Sequence, residues 1–185
     1  MKALVLNGMA NGEDGVSEIL AGELKNLGYE VTGLTLRDKE IAPCLGCFGC
    51  WIKTPGTCVI DDDGRDVVRM AVQSHLMVFL TRVTFGGYSS VLKKALDRII
   101  PIISPFFMKI GGEIHHRPRY ARYPSIVGIG ILQQPDEESE RIFKTLVKRN
   151  AVNVHAPLHT AGVLVRKDPP GKIREDIKRL LDGLG

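Results

Sequence analysis

The chain has 185 residues, of which 44% are hydrophobic and 25% charged, the balance of a globular protein with an apolar core rather than a disordered chain. A formal net charge of +4 is too small to predict a nucleic-acid binder. No apolar run reaches the roughly 18 residues of a membrane span, and the first residues lack a signal-peptide pattern. We therefore expect a cytoplasmic protein that binds neither nucleic acid nor membranes.

Segments typical of strands alternate with segments typical of helices along the chain. Strands are predicted at Lys2–Asn7, Glu30–Leu36, His75–Thr81, Ile126–Leu132 and within Val154–Val165. Helices are predicted near Val16–Leu27, over Asp62–Gln73, near Val91–Ile100, and over Glu137–Asn150 and Ile173–Leu184. Asp62 or Asp63 and Ser89 or Ser90 can cap two of these helices. Arg37–Asp61, here called the cysteine loop, is predicted to lack regular structure, and Gly111–Tyr123 is predicted to be a polar, basic excursion.

This alternation predicts a parallel sheet with helices on both faces. For five strands the expected order is 2-1-3-4-5, that of a flavodoxin-like three-layer α/β sandwich, formed as one domain over residues 1–185. In that order ligands bind at the carboxyl ends of the strands, near the switch point between strands one and three. The unusual loops of this chain follow strands one, two and three, so we expect them to carry the chemistry together.

The loop after the third strand, within Thr81–Arg98, combines two glycines with two aromatic residues. Gly86 and Gly87 allow a close backbone approach to a flat ligand, and Phe85 and Tyr88 offer ring surface. Lys93, Lys94 and Arg98 are expected on the exposed side of the next helix. For the two glycines taken alone, an ordinary strand-to-helix turn is the favoured interpretation.

Four cysteines in the cysteine loop follow the spacing C-x2-C-x2-C-x7-C, at Cys44, Cys47, Cys50 and Cys58. Four thiolates at short spacing are what a [4Fe–4S] cluster requires. Zinc is less attractive, because its sites usually bring two separated ligand pairs. The cysteines could also pack as small apolar residues, or Cys47 and Cys50 could cycle to a disulfide. We place packing or redox thiols ahead of the cluster.

Two runs, Pro43–Asp63 and Val83–Arg98, resemble the NADPH-dependent FMN reductase family, which includes the iron–sulfur flavoproteins. The resemblance implies an FMN-binding oxidoreductase that takes a hydride from NAD(P)H and passes electrons to a flavin, a quinone, an aromatic compound or a redox partner protein. It implies a homodimer or homotetramer, and it requires no catalytic side chain. The FMN-binding residues that it implies are Asn7, Gly8, Asn11, Gly15, Ser17, Thr81, Val83, Thr84, Phe85, Gly86, Gly87 and Tyr88.

Two alternatives stay open. One is an electron-transfer protein that carries both FMN and a [4Fe–4S] cluster on the four cysteines. The other is a binding module that has lost flavin, because Met9, Ala10 and Asn11 replace the family's usual Ser-Pro-Arg-like run. Glu13 and Asp14 would also repel the FMN phosphate by about 1 kcal/mol each, unless Asp14 only caps the first helix.

Basic and aromatic residues gather in the excursion Gly111–Tyr123. Its arginines, at 117, 119 and 122, could receive the phosphates of NADPH or a nucleic-acid strand, but a solvated surface loop is favoured. A metal site at His115 and His116 is not expected. His155 and His159 are interpreted as packed residues of the fifth strand. Trp51 is expected to fix the cysteine loop near the flavin edge or at a subunit interface.

Overall fold

The structure is a computed structural model that describes residues 1–9 and 15–184. Its strands are β1 (Lys2–Asn7), β2 (Glu30–Thr35), β3 (Leu76–Thr84), β4 (Gly87–Tyr88), β5 (Ile103–Ile110), β6 (Glu113–Pro118), β7 (Ser125–Leu132) and β8 (His159–Val165). Its helices are α1 (Gly15–Asn26), α2 (Gly49–Ile52), α3 (Asp63–Gln73), α4 (Ser90–Asp97), α5 (Glu137–Asn153) and α6 (Pro170–Asp182), with 3₁₀ turns at Leu36–Asp38 and Ile100–Ile102.

Five strands form one parallel sheet in the order β2-β1-β3-β7-β8. β1 lies between β2 and β3, so the carboxyl ends of β1 and β3 stand side by side. Counted among the parallel strands alone, this is the order 2-1-3-4-5, which confirms the flavodoxin-like fold that the sequence predicts. The short β4 pairs antiparallel with the end of β3.

The sheet separates two apolar cores, because alternate residues of its inner strands face opposite sides. Leu4 and Leu6 of β1 join the core beneath α3, α4 and α5. Ala3 and Val5 join the core beneath α1 and α6. Helices on both faces therefore complete the three layers of the predicted sandwich.

Polar side chains set where the helices begin. Asp62 is the N-cap of α3 and accepts a hydrogen bond from the Gly64 N–H at 2.9 Å. Ser89 is the N-cap of α4 and accepts from the Leu92 N–H at 3.4 Å. Both caps are among those predicted from the sequence. Within the described part of the chain, no helix combines the length and the apolar character needed to cross a membrane.

The prediction of an irregular excursion at Gly111–Tyr123 is wrong for its first half. Residues 113–118 form β6, which pairs antiparallel with β5, a strand that the sequence analysis did not predict. Gly111 and Gly112 form the connecting turn with φ values of 57° and 89°. Two residues with positive φ are what a tight hairpin turn requires, and glycine adopts them without strain. The paired glycines were the signal that could have identified this hairpin.

Candidate functional site

A network of backbone and hydroxyl groups joins the carboxyl ends of β1 and β3. The Thr81 hydroxyl donates to Ser89 Oγ and accepts from the Ser89 backbone N–H, both at 3.0 Å. Ser89 Oγ donates to the Gly8 carbonyl at 3.0 Å, and the Gly8 N–H donates to the Leu80 carbonyl at 2.8 Å. We call this the carboxyl-edge network. It fixes the loop after β1, the end of β3 and the start of α4 in one arrangement.

The loop after β1 enters this network through small groups. A Cβ added to Gly8 would lie only 2.8 Å from Leu92 Cβ and 2.9 Å from Ser89 Oγ, so only glycine fits between β1 and α4. The buried Asn7 side chain accepts the Met9 N–H at 3.0 Å. Arg37, just after β2, donates to the Met9 carbonyl at 3.1 Å. Sequence reasoning did not assign Arg37 to this site.

A tight turn between β3 and β4 presents an aromatic ring to solvent. Phe85 and Gly86 form the turn with φ values of 50° and 75°, and the Phe85 side chain is 98% exposed. Thr84 is also exposed, whereas Val83 is half-buried. This turn therefore offers a flat ligand both a ring and the backbone of a strand end.

Tyr88, in contrast, turns its ring into the core. The ring makes edge contacts with Phe79 and Phe143, and its hydroxyl accepts a hydrogen bond from Asn150 at 2.9 Å. Burial raises the pKa of Tyr88 far above its ordinary value, although the bond from Asn150 acts in the opposite direction. Only the backbone of this residue is available to a ligand at the edge, so Tyr88 anchors the turn to the protein.

The N-terminus of α1 follows β1 at the same edge of the sheet. Gly15 is exposed, and a Cβ placed there would meet no atom of the described residues within 4 Å. Ser17 is half-buried in the first turn of this 12-residue helix. The predictions about Asn11, Glu13 and Asp14 fall on residues 10–14 and lie outside the described residues.

These groups fit the two halves of FMN. The first backbone N–H groups of a helix have no partners within the helix, and together with the helix dipole they favour an anion such as a phosphate. The exposed Thr84 and Phe85 offer a surface for a ring system on the neighbouring strand.

The four cysteines lie around one small cavity. Together with Ile60, Arg98 and Ile100 they line a volume of about 60 Å³. Organic ligands occupy sites of roughly 300 Å³ or more, so this cavity excludes a flavin ring and leaves room only for a compact group. All four are free thiols: Cys50 is buried, Cys58 half-buried, and Cys44 and Cys47 exposed. Burial raises the pKa of Cys50, and the neighbouring thiols raise it further.

The cysteine loop offers the four thiols that a [4Fe–4S] cluster requires. Within residues 1–9 and 15–184, no three histidine, cysteine, aspartate or glutamate side chains are placed as ligands of one ion. A [4Fe–4S] cluster instead binds four thiolates through four separate irons, so its sulfurs surround a volume. Four cysteines around one cavity satisfy that chemistry. They would be the residues that hold the cluster.

A buried ion pair lies beside this cavity. The Arg98 side chain is 1% exposed and donates to both carboxylate oxygens of Asp62 at 2.8 Å. The expectation that Arg98 lies on the exposed side of α4 is wrong, because position 98 follows the buried Ala95 by three residues and shares its face. Burial would raise the pKa of Asp62, but the bonds from Arg98 and from the Ala42 and Gly64 N–H groups outweigh it and lower the pKa below its ordinary value.

The carboxyl-edge network and the Arg98 side of the cysteine cavity lie at opposite ends of α4. Ser89 caps the start of α4, whereas Arg98 follows its end, and the eight residues of the helix span about 12 Å.

Trp51 fixes α2 against the β5–β6 hairpin. Its Nε1 donates to the Ile103 carbonyl at 3.0 Å, and its ring lies 5.4 Å from Phe48 and 4.7 Å from His116 between centroids. These contacts are with a part of the fold that the sequence analysis did not predict.

Two of the arginines proposed to bind phosphate are used within the fold. Arg117 Nε donates to the Phe107 carbonyl and Arg119 Nε donates to the Pro101 carbonyl, both at 2.9 Å. Arg122 is exposed. The geometry supports a structural role for Arg117 and Arg119, which join the hairpin strands and anchor the segment after β6.

The histidines occupy different environments. His115 is buried, with Nδ1 2.9 Å from Asn153 Oδ1 and Nε2 3.0 Å from Glu113 Oε2. His155 does not lie on a strand as predicted: it sits in the turn after α5 with a φ of 56°. Its Nε2 lies 2.7 Å from the His116 carbonyl. His159 begins β8 and is exposed rather than packed.

Comparisons with known proteins agree with this fold. An iron–sulfur flavoprotein of Methanocaldococcus jannaschii is 32% identical over 120 residues, which are 62% of this chain and 61% of that protein. An iron–sulfur flavoprotein of Archaeoglobus fulgidus is 33% identical over 100 residues, 53% of this chain and 48% of that one. The chain thus spans about half to three-fifths of the length of these curated relatives.

Solved structures match nearly the whole chain at low identity. An NAD(P)H:quinone oxidoreductase from Methanothermobacter marburgensis gives a TM-score of 0.70 at 15% identity and covers 97% of this chain and 96% of its own. An FMN-dependent NADH-azoreductase from Bacillus anthracis, in complex with FMN, gives a TM-score of 0.64 at 12% identity. The match covers 98% of this chain and 97% of that chain. These matches establish the fold.

The sequence profile of one family, described as NADPH-dependent FMN reductase, matches residues 1–118. That range includes β1, the cysteine loop, the β3–β4 turn and α4. It is more than half of the 185 residues. The chain therefore belongs to the NADPH-dependent FMN reductase family.

Proposed function

We propose that this protein is an FMN-binding oxidoreductase that takes electrons from NAD(P)H and passes them to a small-molecule acceptor or a redox protein. The observation that carries the proposal is the carboxyl-edge network. It joins the loop after β1 to the end of β3 and the start of α4, within the range that matches the family.

The residues of this edge have binding roles rather than acid or base roles. Bound FMN would supply the hydride and electron chemistry of its ring system. The first turn of α1, with Gly15 and Ser17, would hold the phosphate. Asn7 and Gly8 shape the backbone beside it, with Thr81 beneath. The backbone from Val83 to Gly87 and the Phe85 ring would border the flavin and limit the access of water.

The first experiment is a visible absorption spectrum of protein purified without oxygen, with flavin and iron measured on the same sample. We expect flavin bands and about one FMN per chain, and oxidation of added NADH or NADPH. A colourless protein that takes up no FMN in a fluorescence titration would contradict the proposal.

A matched pair of substitutions tests the phosphate site. Gly15 and Gly171 both lie in the first turn of an exposed helix, and a Cβ at either would meet no atom of the described residues within 4 Å. Gly15→Asp should lower the affinity for FMN about tenfold by charge repulsion, whereas Gly171→Asp should leave it unchanged. Neither should change the affinity for riboflavin, which lacks the phosphate. Equal effects of both substitutions would exclude a phosphate at α1.

A second candidate function adds an iron–sulfur cluster to the flavin. It is favoured by the four thiols around one cavity and by the curated relatives, which are iron–sulfur flavoproteins. Such a protein would pass single electrons between the two groups. Cys50→Ser should abolish bound iron and brown colour, while the exposed Thr57→Ser should change neither. If the wild-type protein contains flavin but no iron, the cysteines act as thiols.

The proposal includes a cytoplasmic location and a homo-oligomeric state. Four free thiols are consistent with a reducing cytoplasm, where thiols are maintained. A homodimer or homotetramer is supported by the exposed Phe106, Phe107 and Ile114 of the hairpin, which are 69%, 60% and 72% exposed. Light scattering of the purified protein measures the assembly directly, and a monomeric mass would exclude it.

A further inference from the structure

An arginine is among the most deeply buried large side chains of the described residues. Arg98 is 1% exposed, and a buried charge of this kind is costly unless it is paired and hydrogen-bonded. The bidentate pair with Asp62 meets part of this cost. The remaining contacts show what the pair holds.

Those contacts bind the cysteine loop before its first cysteine and after its last. Before the cysteines, Arg98 Nη1 donates to the Ala42 carbonyl at 2.8 Å, and the Ala42 N–H donates to Asp62 Oδ2 at 2.8 Å. After the cysteines, Arg98 Nη2 donates to the Ile60 carbonyl at 3.3 Å. Because Ala42 and Ile60 flank all four cysteines, one guanidinium closes the loop around them.

Of the two members of the pair, only Arg98 is adjacent to the thiols. Arg98 lines the cysteine cavity, whereas Asp62 is not among the residues that line it. Arg98 Nε, which is buried, has no hydrogen-bond partner within the described part of the chain. The cavity is otherwise lined by apolar groups and sulfur, so Arg98 is its positive charge.

We propose that Arg98, held in place by Asp62, is the positioning residue of the cysteine loop and the internal cation of its cavity. It closes the loop through Ala42 and Ile60, and it favours an anionic occupant beside the thiols over a neutral one. The inference rests on the proposed redox role of the cysteine loop, but the contacts that carry it belong to the chain alone.

The closing role is tested by hydrogen exchange of residues 43–59 in full-length, iron-free protein. The double variant Arg98→Met with Asp62→Leu removes both charges, since replacing a buried ion pair by apolar residues often leaves the fold intact. We expect faster exchange in this segment, by about tenfold or more, while exchange in β1 and β7 is unchanged. Arg69→Gln, in an exposed pair with Asp66, should match the wild type.

The charge is tested with two alkylating reagents that differ in charge. The rate ratio of anionic iodoacetate to neutral iodoacetamide at Cys58, read by mass spectrometry, does not depend on the thiolate fraction. Removing the cation in the double variant should lower this ratio about fivefold. Arg98→Lys should keep the ratio near wild type while exchange rises, because lysine retains the charge but loses the planar fork.

Unchanged exchange in the double variant would overturn the closing role, and an unchanged reagent ratio would overturn the internal cation. Loss of ratio in Arg98→Lys equal to that in the double variant would also overturn the charge assignment. FMN binding and iron content, measured on each protein as purified without oxygen, report on the proposed function separately. Wild-type protein that binds neither flavin nor iron would contradict the proposed function, whereas both tests of Arg98 could still be carried out.

Discussion

The two ends of α4 are built in different ways. At its start, Ser89 joins Thr81 and Gly8 through neutral groups that lie at strand ends and at the cap of the helix. At its end, Arg98 forms a buried ion pair with Asp62, which is the N-cap of α3. The first arrangement follows from regular secondary structure. The Arg98–Asp62 ion pair instead holds the cysteine loop, which contains little regular secondary structure.

This comparison predicts that the cysteine end depends on charge. Asp62→Asn should lower the free energy of unfolding by about 3–5 kcal/mol, because it leaves the Arg98 charge buried without its counter-charge. Urea denaturation of the purified variant measures the loss. Asp66→Asn on the same helix, whose partner Arg69 is 65% exposed, should cost less than about 1 kcal/mol. Equal losses for the two variants would mean that the buried pair does not hold the loop.

The carboxyl edge should instead be sensitive to volume. Gly8→Ala should destabilise the protein by about 1–3 kcal/mol, since its Cβ would lie 2.8 Å from Leu92 Cβ. In Gly22→Ala, a Cβ meets no atom within 4 Å, so the better helix propensity of alanine should add about 0.5–1 kcal/mol. Thermal or urea unfolding distinguishes the two signs. A neutral Gly8→Ala would show that β1 and α4 can separate at little cost.

Acid should weaken the Asp62–Arg98 ion pair at the end of α4 but not the hydrogen bonds between neutral groups at its start. The folded pKa of Asp62 lies below its ordinary value of 3.8, so its stabilising effect is complete above that pH and is lost as the pH falls below it. The difference in unfolding free energy between wild type and Asp62→Asn should therefore narrow only as the pH falls below 3.8, and this is the smallest of these effects. Urea unfolding at several pH values measures it. A constant difference would contradict the depressed pKa.

Much of the fold could be predicted from the sequence. Lys2–Asn7 and Ile126–Leu132 are continuous apolar runs, and such runs indicate strands buried on both faces. The caps Asp62 and Ser89 follow from the chemistry of helix starts. The hairpin at β5 and β6 was missed because its strands are largely exposed and do not alternate cleanly.

The candidate site was harder to predict where it depends on contacts that are distant in sequence. Asp62 and Arg98 are 36 positions apart, and three consecutive aspartates, at 61–63, offered equal partners. The charge of Arg98 suggested an exposed residue, although its spacing from Ala95 placed it on the buried face. The path of the cysteine loop could not be read from a segment with so little regular structure.

The turn after β3 has one further consequence. Phe85 holds a left-handed backbone conformation at a φ of 50°, where a residue other than glycine or asparagine is disfavoured by roughly 1–2 kcal/mol. Asparagine would suit this hairpin turn better. The protein thus forgoes local stability to keep an aromatic ring in water at the edge of its sheet. Selection for thermal stability alone would replace Phe85 early, and the surface offered to a flat ligand would be lost with it.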